Sequence, residues 1–182
     1  MPAAADYTRW IRLLDWEGLE LMWDSILVGS TPGWEPGRAL EYVILRAFEL
    51  GGAQVRWPYS VSLRGQVIEQ IDGAVYAANL ACLVEAKDTT EPVRPDAVGK
   101  LRQQIARRPA GVMGLLFSRS GFSEAATTLA QFLAPQNVLL WTGADLSVAI
   151  DQRDMVGALE AKYRFCVEKG SPKYDLQLEG AR

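Results

Sequence analysis

The sequence contains no histidine. This absence excludes several classes of enzyme at once: hydrolases that use a Ser-His-Asp or Cys-His arrangement, zinc enzymes with histidine ligands, and nucleases with a histidine general base. The side chains that remain for acid–base and metal chemistry are carboxylates and lysines. A catalytic or metal site in this chain therefore requires a place where these residue types converge.

Cysteine is scarce, and long apolar runs are missing. Cys82 and Cys166 are too few for a disulfide framework and lack metal-ligand spacing, so both are predicted to be buried thiols. No apolar run reaches the length of a membrane span, and the opening Met1–Asp6 lacks the basic and apolar regions of a signal peptide. These features predict a cytoplasmic protein with no membrane partner.

Length and charge set two further bounds. The 182 residues can bury one sizeable core, and nothing in the length requires a second one. We predict a helical extension over residues 1–35 that serves packing or dimerisation, a core module over 36–150, and a helix and tail over 151–182. The net charge of −3 argues against general coating of nucleic acid, so local clusters of lysine and arginine matter more than the total.

The stretch EQIDGAVYAANLACLVEAK, residues 69–87, organises the rest of the chain. Its apolar residues alternate with others on both sides of Ala78-Asn79, which predicts two short strands joined by a tight turn. The simplest register pairs Ala77 with Leu80. Ala-Asn is an unfavourable pair for a type I′ turn, and a loop with an odd number of residues would break this register.

With that register, Asp72 lies directly opposite Glu85, and Gln70 lies opposite Lys87. Directly opposed residues of an antiparallel pair share a face, so two carboxylates converge with a lysine beside them. The opposite face is apolar or small throughout: Ile71, Gly73, Val75 and Ala77 on the first strand, and Leu80, Cys82, Val84 and Ala86 on the second. The hairpin is thus predicted to pack with one face and to carry charge on the other.

Two carboxylates at one site require a counter-ion, and oxygen ligands suit a hard cation such as Mg²⁺ or Mn²⁺. Such an ion lowers the pKa of a bound water and stabilises the charge of an in-line displacement at phosphorus. Lys87, two residues from Glu85 on the same face, would orient or deprotonate the attacking water. This combination is typical of hydrolytic nuclease chemistry.

Asp72, followed at hairpin distance by Glu85-Ala86-Lys87, resembles the motif of the PD-(D/E)xK nuclease superfamily, with Ile71 in place of the namesake proline. The flanking segments are similar to the Mrr-like restriction endonuclease group. Gly37–Glu41 resembles the opening helix of that group with its acidic residue, and Gly111–Ala126 resembles its later strand, Ser/Thr turn and helix. The resemblance covers residues 36–150.

The resemblance implies an α/β fold, namely a restriction-endonuclease-like mixed β-sheet flanked by helices. It also implies that Asp72, Glu85 and the backbone carbonyl of Ala86 hold the metal, that Lys87 activates water, and that Glu41 assists at the metal site. For Glu41, a favourable interaction with the N-terminal dipole of its own helix is an equal alternative. For the whole motif, the alternative is a surface salt bridge on an edge hairpin.

The chain contains its own control for the Glu-x-Lys pattern. Glu160-Ala161-Lys162 has the same spacing but lies in a helical stretch, where residues i and i+2 point about 200° apart. The two charges cannot converge on one site there. We interpret this second copy as a solvated helix face.

A basic segment follows the hairpin. From Arg94 to Arg108, five basic residues stand against one acid, Asp96, which gives a local balance of +4. Related nucleases often place a glutamine on this helix. The candidate substrate contacts are Lys100, Arg102, Gln103, Gln104, Arg107 and Arg108 in this segment, Gln70 in the hairpin, and Ser118, Arg119 and Ser120 in the turn after the strand Gly111–Phe117. A solvated helix face and an ordinary capping turn are the respective alternatives.

The remaining segments predict the framework. Asp6–Val28 is expected to form one helix, or two helices broken near Gly18, and its tryptophans are assigned to packing or dimerisation. Ala53–Leu63 is predicted as one strand, and Leu146–Lys169 as one helix. The tail to Arg182 is predicted to be disordered or to lie on a partner.

Three functional hypotheses follow. The leading one is a Mg²⁺-dependent endodeoxyribonuclease that acts on DNA, by family analogy in restriction or another defence against foreign DNA. The second is a catalytically silent binding or interaction module with the same fold. The third is a nuclease effector that a partner protein or small ligand activates. A homodimer is a further possibility that the sequence leaves open.

Overall fold

The computed structural model describes residues 4–177, which form seven helices and seven strands. The helices are α1 (Ala4–Ile11), α2 (Trp16–Leu27), α3 (Arg38–Leu50), α4 (Pro95–Ala106), α5 (Glu124–Gln131), α6 (Gly143–Asp151) and α7 (Met155–Lys169). The strands are β1 (Gln54–Arg56), β2 (Tyr59–Leu63), β3 (Gln66–Ile71), β4 (Gly73–Ala77), β5 (Leu80–Lys87), β6 (Met113–Ser118) and β7 (Val138–Thr142). No helix in this part of the chain has both the length and the apolar character needed to cross a membrane.

Five of the strands form one mixed sheet in the order β1-β4-β5-β6-β7. Strands β1, β4 and β5 are antiparallel neighbours, whereas β5, β6 and β7 are parallel. Parallel neighbours need a crossover connection, and α4 and α5 supply the two that are required here. The predicted fold class, a mixed sheet flanked by helices, is confirmed.

Helices cover both faces of this sheet. Helix α3 is buried on almost every side, with 8 of its 13 residues inaccessible, and it packs with α1, α2, α6 and α7 on one face. Helices α4 and α5 pack on the other face. A helix that is apolar on nearly all sides belongs inside a protein, so α3 is the element around which the larger core forms.

The hairpin of β4 and β5 has the predicted register. Ala77 pairs with Leu80, and the ladder continues to Gly73 opposite Val84. The two turn residues have positive φ, 51° at Ala78 and 59° at Asn79, which is the backbone that a type I′ turn requires. The two-residue loop therefore forms although Ala-Asn is an unfavourable sequence for it.

The strand predicted before this turn is interrupted at Asp72. Residues up to Ile71 belong to β3, which pairs with β2 in a separate two-stranded ribbon, and only Gly73–Ala77 joins the main sheet. In the ribbon, Gln70 lies opposite Ser60, so the predicted pairing of Gln70 with Lys87 is wrong. Alternation of apolar residues continues through Asp72, which is why this pattern does not reveal the change of sheet.

The second face of the hairpin is also more apolar than predicted. Ala74 and Leu83 are buried on that face against the smaller core, and Ile71 belongs to this smaller core as well. The charged residues are confined to the end of β5. The face that carries the charge is thus a short polar edge of an otherwise packed sheet.

The segment Ala53–Leu63 forms two strands instead of one. Strand β1 lies at the edge of the main sheet and β2 lies in the ribbon, with Trp57 and Pro58 between them. Proline cannot donate a ladder hydrogen bond, which explains a break at this point. Because of this change of sheet, β2 and β3 form a separate ribbon, and β3 contacts β5.

Two long helical predictions are likewise divided. The N-terminal segment breaks at residues 12–15 and not at Gly18, because Asp15 caps α2 by accepting a hydrogen bond from the Gly18 N–H at 3.0 Å. The C-terminal segment breaks at residues 152–154, where Asp154 caps α7 through the Gly157 N–H at 2.8 Å. In both places an aspartate starts a new helix.

The N-terminal helices pack on the core of the same chain. Trp23 is buried and donates from its indole N–H to Ser147 Oγ at 2.9 Å, and Tyr7 stacks on Trp34 with ring centroids 4.9 Å apart. The packing role predicted for this segment is therefore observed. A role in dimerisation stays a prediction. The two cysteines, Cys82 and Cys166, are free and buried, as predicted.

The interpretation of Lys162 as solvated is wrong. Its side chain is fully buried in α7, 2.9 Å from the Asp145 carboxylate, and its ammonium also donates to the backbone carbonyls of Leu140 and Tyr174. Burial lowers the pKa of Lys162, and the charge of Asp145 opposes that effect. The helical setting of this second Glu-x-Lys copy is confirmed, but its lysine is buried and links α7 to Asp145 of α6 and to the Leu140 carbonyl of β7.

The start of the predicted tail lies on the chain's own surface. Pro172 and Leu176 are buried, and the Leu140 N–H donates to the Pro172 carbonyl at 2.9 Å beside β7. Up to residue 177, the prediction of a disordered or partner-bound tail is thus not met. The part of that prediction that concerns residues 178–182 lies outside the described residues.

Candidate active site

Glu85 is the innermost polar group of the predicted site. It lies near the end of β5, in the middle of the main sheet, and is completely inaccessible to solvent. Two ammonium groups neutralise it: Lys87 Nζ lies 2.6 Å from Oε1, and Lys100 Nζ lies 2.8 Å from Oε1 and 2.9 Å from Oε2. A buried carboxylate is costly unless it is paired, so these two lysines account for its stability.

Asp72 lies at the junction of β3 and β4, one residue beyond the last ladder pair. Its Oδ2 accepts a hydrogen bond from the Ala86 N–H at 2.9 Å, which places the carboxylate across from the end of β5. Burial, and then the negative charge of Glu85, raise the pKa of Asp72 to about 6. The structure therefore brings the two predicted carboxylates together, although through a bend and not through a regular ladder pair.

Glu41, in the first turn of α3, faces the same place. Its side chain is 14% exposed and accepts a hydrogen bond from Arg38 at 2.8 Å. Burial raises the pKa of Glu41 to about 7, with a further increase from the charge of Asp72 and a smaller one from Glu85, against the opposing effect of Arg38. Glu41 thus lies in the first turn of its helix and also near Asp72 and Glu85, and its role at a metal site stays a prediction.

Lys87 completes this cluster. Burial by itself lowers the pKa of the Lys87 ammonium, but the hydrogen bond to Glu85 and the negative charges of Glu85, Asp72 and Glu41 outweigh it, so the pKa is raised. In this state Lys87 is a proton donor. Of the two roles predicted for it, orienting a nucleophile therefore fits better than removing its proton.

The donor set at this site suits a hard divalent cation. Asp72 and Glu85 offer carboxylate oxygens next to the Ala86 backbone, and the Lys100 ammonium donates to both oxygens of Glu85. Within residues 4–177, no group of three or more His, Cys, Asp or Glu side chains has the geometry of a metal site. The predicted set has two carboxylates and one backbone carbonyl, and it stays a prediction.

Two depressions flank the cluster. The first is a cavity of about 440 Å³ that contains Glu41 and Asp72 in its wall, together with Arg38 and Tyr59. The second, of about 520 Å³, is the groove between β3 and α4. Its wall includes five of the predicted substrate contacts: Gln70, Lys100, Gln103, Gln104 and Arg107. The first depression thus reaches Asp72 and Glu41, whereas the second reaches Lys100, which contacts Glu85.

The arginines of α4 and its C-terminal end are less available than predicted. Arg107 and Arg108 both bind the buried carboxylate of Glu69 on β3, Arg108 at 2.6 Å. Arg102 donates to the carbonyl groups of Ala134 and Pro135, 2.6 Å for the latter. The structure therefore uses these three arginines to hold α4 against the ribbon and against the connection that precedes β7.

The two glutamines differ in their surroundings. Gln104 is buried, and its amide donates to the backbone carbonyl of Gln70 at 3.2 Å, so it ties α4 to the ribbon. Gln103 is exposed in the groove between β3 and α4. Of the two, only Gln103 presents its side chain to an approaching substrate.

The turn after β6 lies beside the end of β5, where Ser118 pairs with Lys87 in the parallel ladder. Ser118 Oγ donates within the turn to the Gly121 carbonyl at 2.7 Å. Ser120 Oγ donates to the Glu91 carbonyl at 2.6 Å and Arg119 binds Asp88 at 2.5 Å, and both of these partners lie in the loop after β5. These bonds favour a structural role for all three residues, in the turn itself or in its attachment to that loop.

Sequence reasoning missed two partners of the site. Arg38 is bonded to Glu41 three residues later, a spacing that places both on one helix face and could have been recognised. Glu69, which holds Arg107 and Arg108, carries a weaker signal. It is the only acid on β3, two residues before the buried Ile71, so alternation would have placed it on the inward face.

Comparison with known proteins adds a family match. A family model described as "Restriction endonuclease" (Mrr_cat) matches residues 35–150, about two thirds of the chain, and this range includes Glu41, Asp72, Glu85 and Lys87. No curated protein matches the chain. Among solved structures, the MspJI restriction endonuclease in complex with a 27-mer oligonucleotide is similar at 20% sequence identity and a TM-score of 0.41. That comparison covers 88% of this chain but only 36% of the MspJI chain, so this chain spans about a third of that enzyme's length.

Proposed function

Because the chain belongs to the Mrr-type restriction endonuclease family, we propose that it is a metal-dependent endonuclease that hydrolyses phosphodiester bonds in DNA. Family membership by itself indicates a DNA nuclease. The observation that supports catalysis by this chain is the convergence of Asp72, Glu85 and Lys87 at the end of β5, with Glu41 facing them.

Asp72, Glu85 and the carbonyl of Ala86 would hold the ion, and Mg²⁺ or Mn²⁺ suits these oxygen ligands. When bound, a divalent cation supplies an activated water and compensates the negative charge that develops on the phosphate. Divalent metals are general in restriction-endonuclease-like families. Burial, and then the charge of a neighbouring carboxylate, raise the pKa values of Asp72 and Glu41, and strongly shifted carboxyl groups that line a cavity support this assignment.

The chain's own side chains have distinct roles. Lys87, charged and fixed by Glu85, orients the attacking water and contacts the scissile phosphate. Glu41 adds a third carboxylate at the edge of the cavity, where Arg38 fixes its position. Gln103 and Lys100 in the groove contact the backbone of the substrate strand, and Gln70 lies where the groove meets the cavity.

The biological setting that we propose is restriction, or another defence against foreign DNA. No histidine chemistry is involved, and the catalytic parts come from one short hairpin and two helices. Specificity for a DNA sequence or modification would then come from the ribbon and groove, or from a partner polypeptide. The second arrangement matches the third hypothesis, in which a partner activates the nuclease.

One observation favours dependence on a partner. Three arginines of the basic segment are bonded to partners within the chain, namely Arg102, Arg107 and Arg108. The net charge of the whole chain is −3. Few cations are therefore left to grip phosphates, and binding of DNA by this chain alone would be weak. Cleavage that appears only at high protein concentration or with an added partner would fit this arrangement.

The test is cleavage of supercoiled, linear and single-stranded DNA with Mg²⁺ or Mn²⁺. We expect cleavage by the wild type that a chelator abolishes, and a loss of about 10²–10⁴-fold in Lys87→Ala, the range typical for a positioned proton donor or acceptor. Lys169→Ala removes an exposed lysine at the end of α7 and should leave the rate unchanged.

A rate in Lys87→Ala equal to that of the wild type would refute the assignment of Lys87. Chelator-sensitive binding of DNA without cleavage in any condition would instead support the catalytically silent module. A melting temperature measured for each variant shows that a loss of cleavage does not come from unfolding.

A further inference from the structure

Lys100 occupies an unusual position for a residue of a groove wall. It lies on α4, its side chain is 48% exposed, and its ammonium nevertheless reaches the fully buried Glu85. The contact is two-pronged, with Nζ 2.8 Å from Oε1 and 2.9 Å from Oε2. The cation that contacts both oxygens of the innermost carboxylate is thus a half-exposed lysine of α4.

Those two oxygens are the ones that a divalent cation would need. Oε1 already accepts hydrogen bonds from both Lys87 and Lys100, so Glu85 has little capacity left for another positive partner. An ammonium and a divalent cation at the same carboxylate would also repel each other. One of the two lysines therefore has to move before an ion can be bound through Glu85.

Lys100 is the lysine that can leave. Its stem lies at the surface of α4 in the groove shared with Gln103 and Arg107, and its long side chain can swing into solvent without disturbing the core. Lys87 is more enclosed, with 31% of its side chain exposed, and its backbone is fixed in β5 between two neighbouring strands.

We propose that Lys100 is the resident counter-ion of Glu85, which a divalent cation displaces, and that the freed ammonium then binds a phosphate of the DNA strand in the groove between β3 and α4. The first step starts from contacts within the chain and rests on the metal-binding part of the proposed function. The second step rests on its DNA substrate. Together they make metal binding and DNA binding mutually favourable, because the cation releases a positive charge towards the DNA.

A permanent structural salt bridge is the competing explanation. In that case Lys100 would stay on Glu85 when metal is present, and its removal would only destabilise the protein. The two explanations differ in what happens to metal affinity, which calorimetry measures directly with no need for catalysis.

The first measurement is Mn²⁺ binding by isothermal titration calorimetry to the full chain, as wild type and as Lys100→Met. Displacement of Lys100 by the cation predicts that Lys100→Met binds Mn²⁺ at least about tenfold more tightly than the wild type, because the competing ammonium at Glu85 is gone. Lys100→Gln is a second variant in case the first fails to fold. Unchanged or weaker Mn²⁺ binding in folded Lys100 variants would overturn the proposal.

A matched control separates displacement from a general loss of positive charge. Arg38 also adds positive charge next to Asp72, but it is bonded to Glu41 and not to Glu85. Arg38→Met should therefore raise Mn²⁺ affinity clearly less than Lys100→Met does. An equal increase in Mn²⁺ affinity in the two variants would show that only the loss of a nearby positive charge matters, and it would contradict displacement.

The second measurement is the affinity for a short DNA duplex, with Ca²⁺ and with a chelator. Lys100→Met should bind DNA about 3–10-fold more weakly than the wild type in Ca²⁺, with a shallower salt dependence, and equally well in the chelator. A loss of the same size in both conditions would refute the release of Lys100 towards DNA.

The outcomes also separate this inference from the proposed function. If the wild type fails to cut DNA with any cation but Lys100→Met tightens Mn²⁺ binding, the displacement stands and the nuclease function falls. If the wild type cuts DNA but Lys100→Met leaves Mn²⁺ affinity unchanged, the nuclease function stands and the displacement falls.

Discussion

Replacement of Glu41 by glutamine tests whether burial and the neighbouring charge of Asp72 penalise the ionised form of Glu41. The pKa of Glu41 in the folded protein is about 7, raised from 4.5. At 1.36 kcal/mol per pH unit, that rise corresponds to about 3 kcal/mol of stability that the protein loses when Glu41 is ionised. The side chain is only 14% exposed, so solvent screening reduces this figure little.

The sign follows from the direction of the shift. A carboxyl whose folded pKa is raised favours the folded state while it is protonated, and this contribution is lost as the pH rises from 4.5 through about 7. Glu41→Gln keeps an oxygen that can accept from Arg38 but never carries the negative charge. With a chelator present, the variant should match the wild type at about pH 4 and exceed its free energy of unfolding by about 2–3 kcal/mol at about pH 8.5.

Urea denaturation across this pH range is the appropriate assay, and the difference between the two proteins cancels the titration of all other groups. For a chain of this length, the gain corresponds to a melting temperature about 5–10 °C higher at the alkaline end. The pKa of Asp72 is raised by burial and by the charge of Glu85, two causes that also raise the pKa of Glu41, so the effects of the two groups on stability do not simply add. A variant that is equally stable or less stable at about pH 8.5 would refute the raised pKa of Glu41.

Three further substitutions test the framework that positions this site. Lys162→Met should lower the free energy of unfolding by about 3 kcal/mol, because it leaves the charged Asp145 buried without its partner. The control Glu160→Met, on the exposed side of α7, should change the free energy of unfolding by less than about 0.5 kcal/mol. Equal losses of stability in the two variants, measured by urea denaturation, would contradict the buried pair. Gly143→Ala should cost about 1–3 kcal/mol, since the added Cβ would lie 2.6 Å from the carbonyl oxygen of Arg119, and a neutral effect on the melting temperature would show that the turn after β6 yields easily. Gly99→Ala, where a Cβ meets open space on α4, should instead stabilise the protein by about 0.5–1 kcal/mol, and a loss of stability there would mean that α4 is packed more tightly than its surroundings indicate.

Local patterns were sufficient to predict the hairpin and the fold class. The parity of apolar residues around Ala78-Asn79 fixes the pairing of Ala77 with Leu80, since a slip by one residue would turn Val75 and Cys82 out of the core. The unbroken apolar run of β6 likewise indicates a strand buried on both faces, which β5 and β7 enclose. These features depend on neighbours in sequence.

The features that were missed depend on contacts between distant segments. Asp72 interrupts its strand because β3 finds a partner in β2, and alternation alone does not reveal a change of sheet. Lys162 is buried because α6 and β7 supply Asp145 and the Leu140 carbonyl, which a helical Glu-x-Lys spacing gives no reason to expect. A carboxylate or lysine can be placed on a face from sequence, but its partner across the fold cannot.

The same distinction applies to the substrate contacts. A run of basic residues between Arg94 and Arg108 indicates a phosphate-binding surface only if no carboxylate or carbonyl group of the same chain binds these side chains. In the structure, Glu69 takes up Arg107 and Arg108, and the connection before β7 takes up Arg102. Of the basic residues in this run, Lys100 and Arg107 line the groove, but Arg107 is bonded to Glu69 there.

The most direct test of the account is a crystal of this protein soaked in Mn²⁺ and measured at the manganese absorption edge. We predict an anomalous peak within about 2.0–2.3 Å of one oxygen each of Asp72 and Glu85, with the Lys100 ammonium no longer in contact with Glu85. Manganese bound elsewhere, or no peak at these two carboxylates with millimolar Mn²⁺, would contradict the central claim that they form a metal-dependent catalytic site.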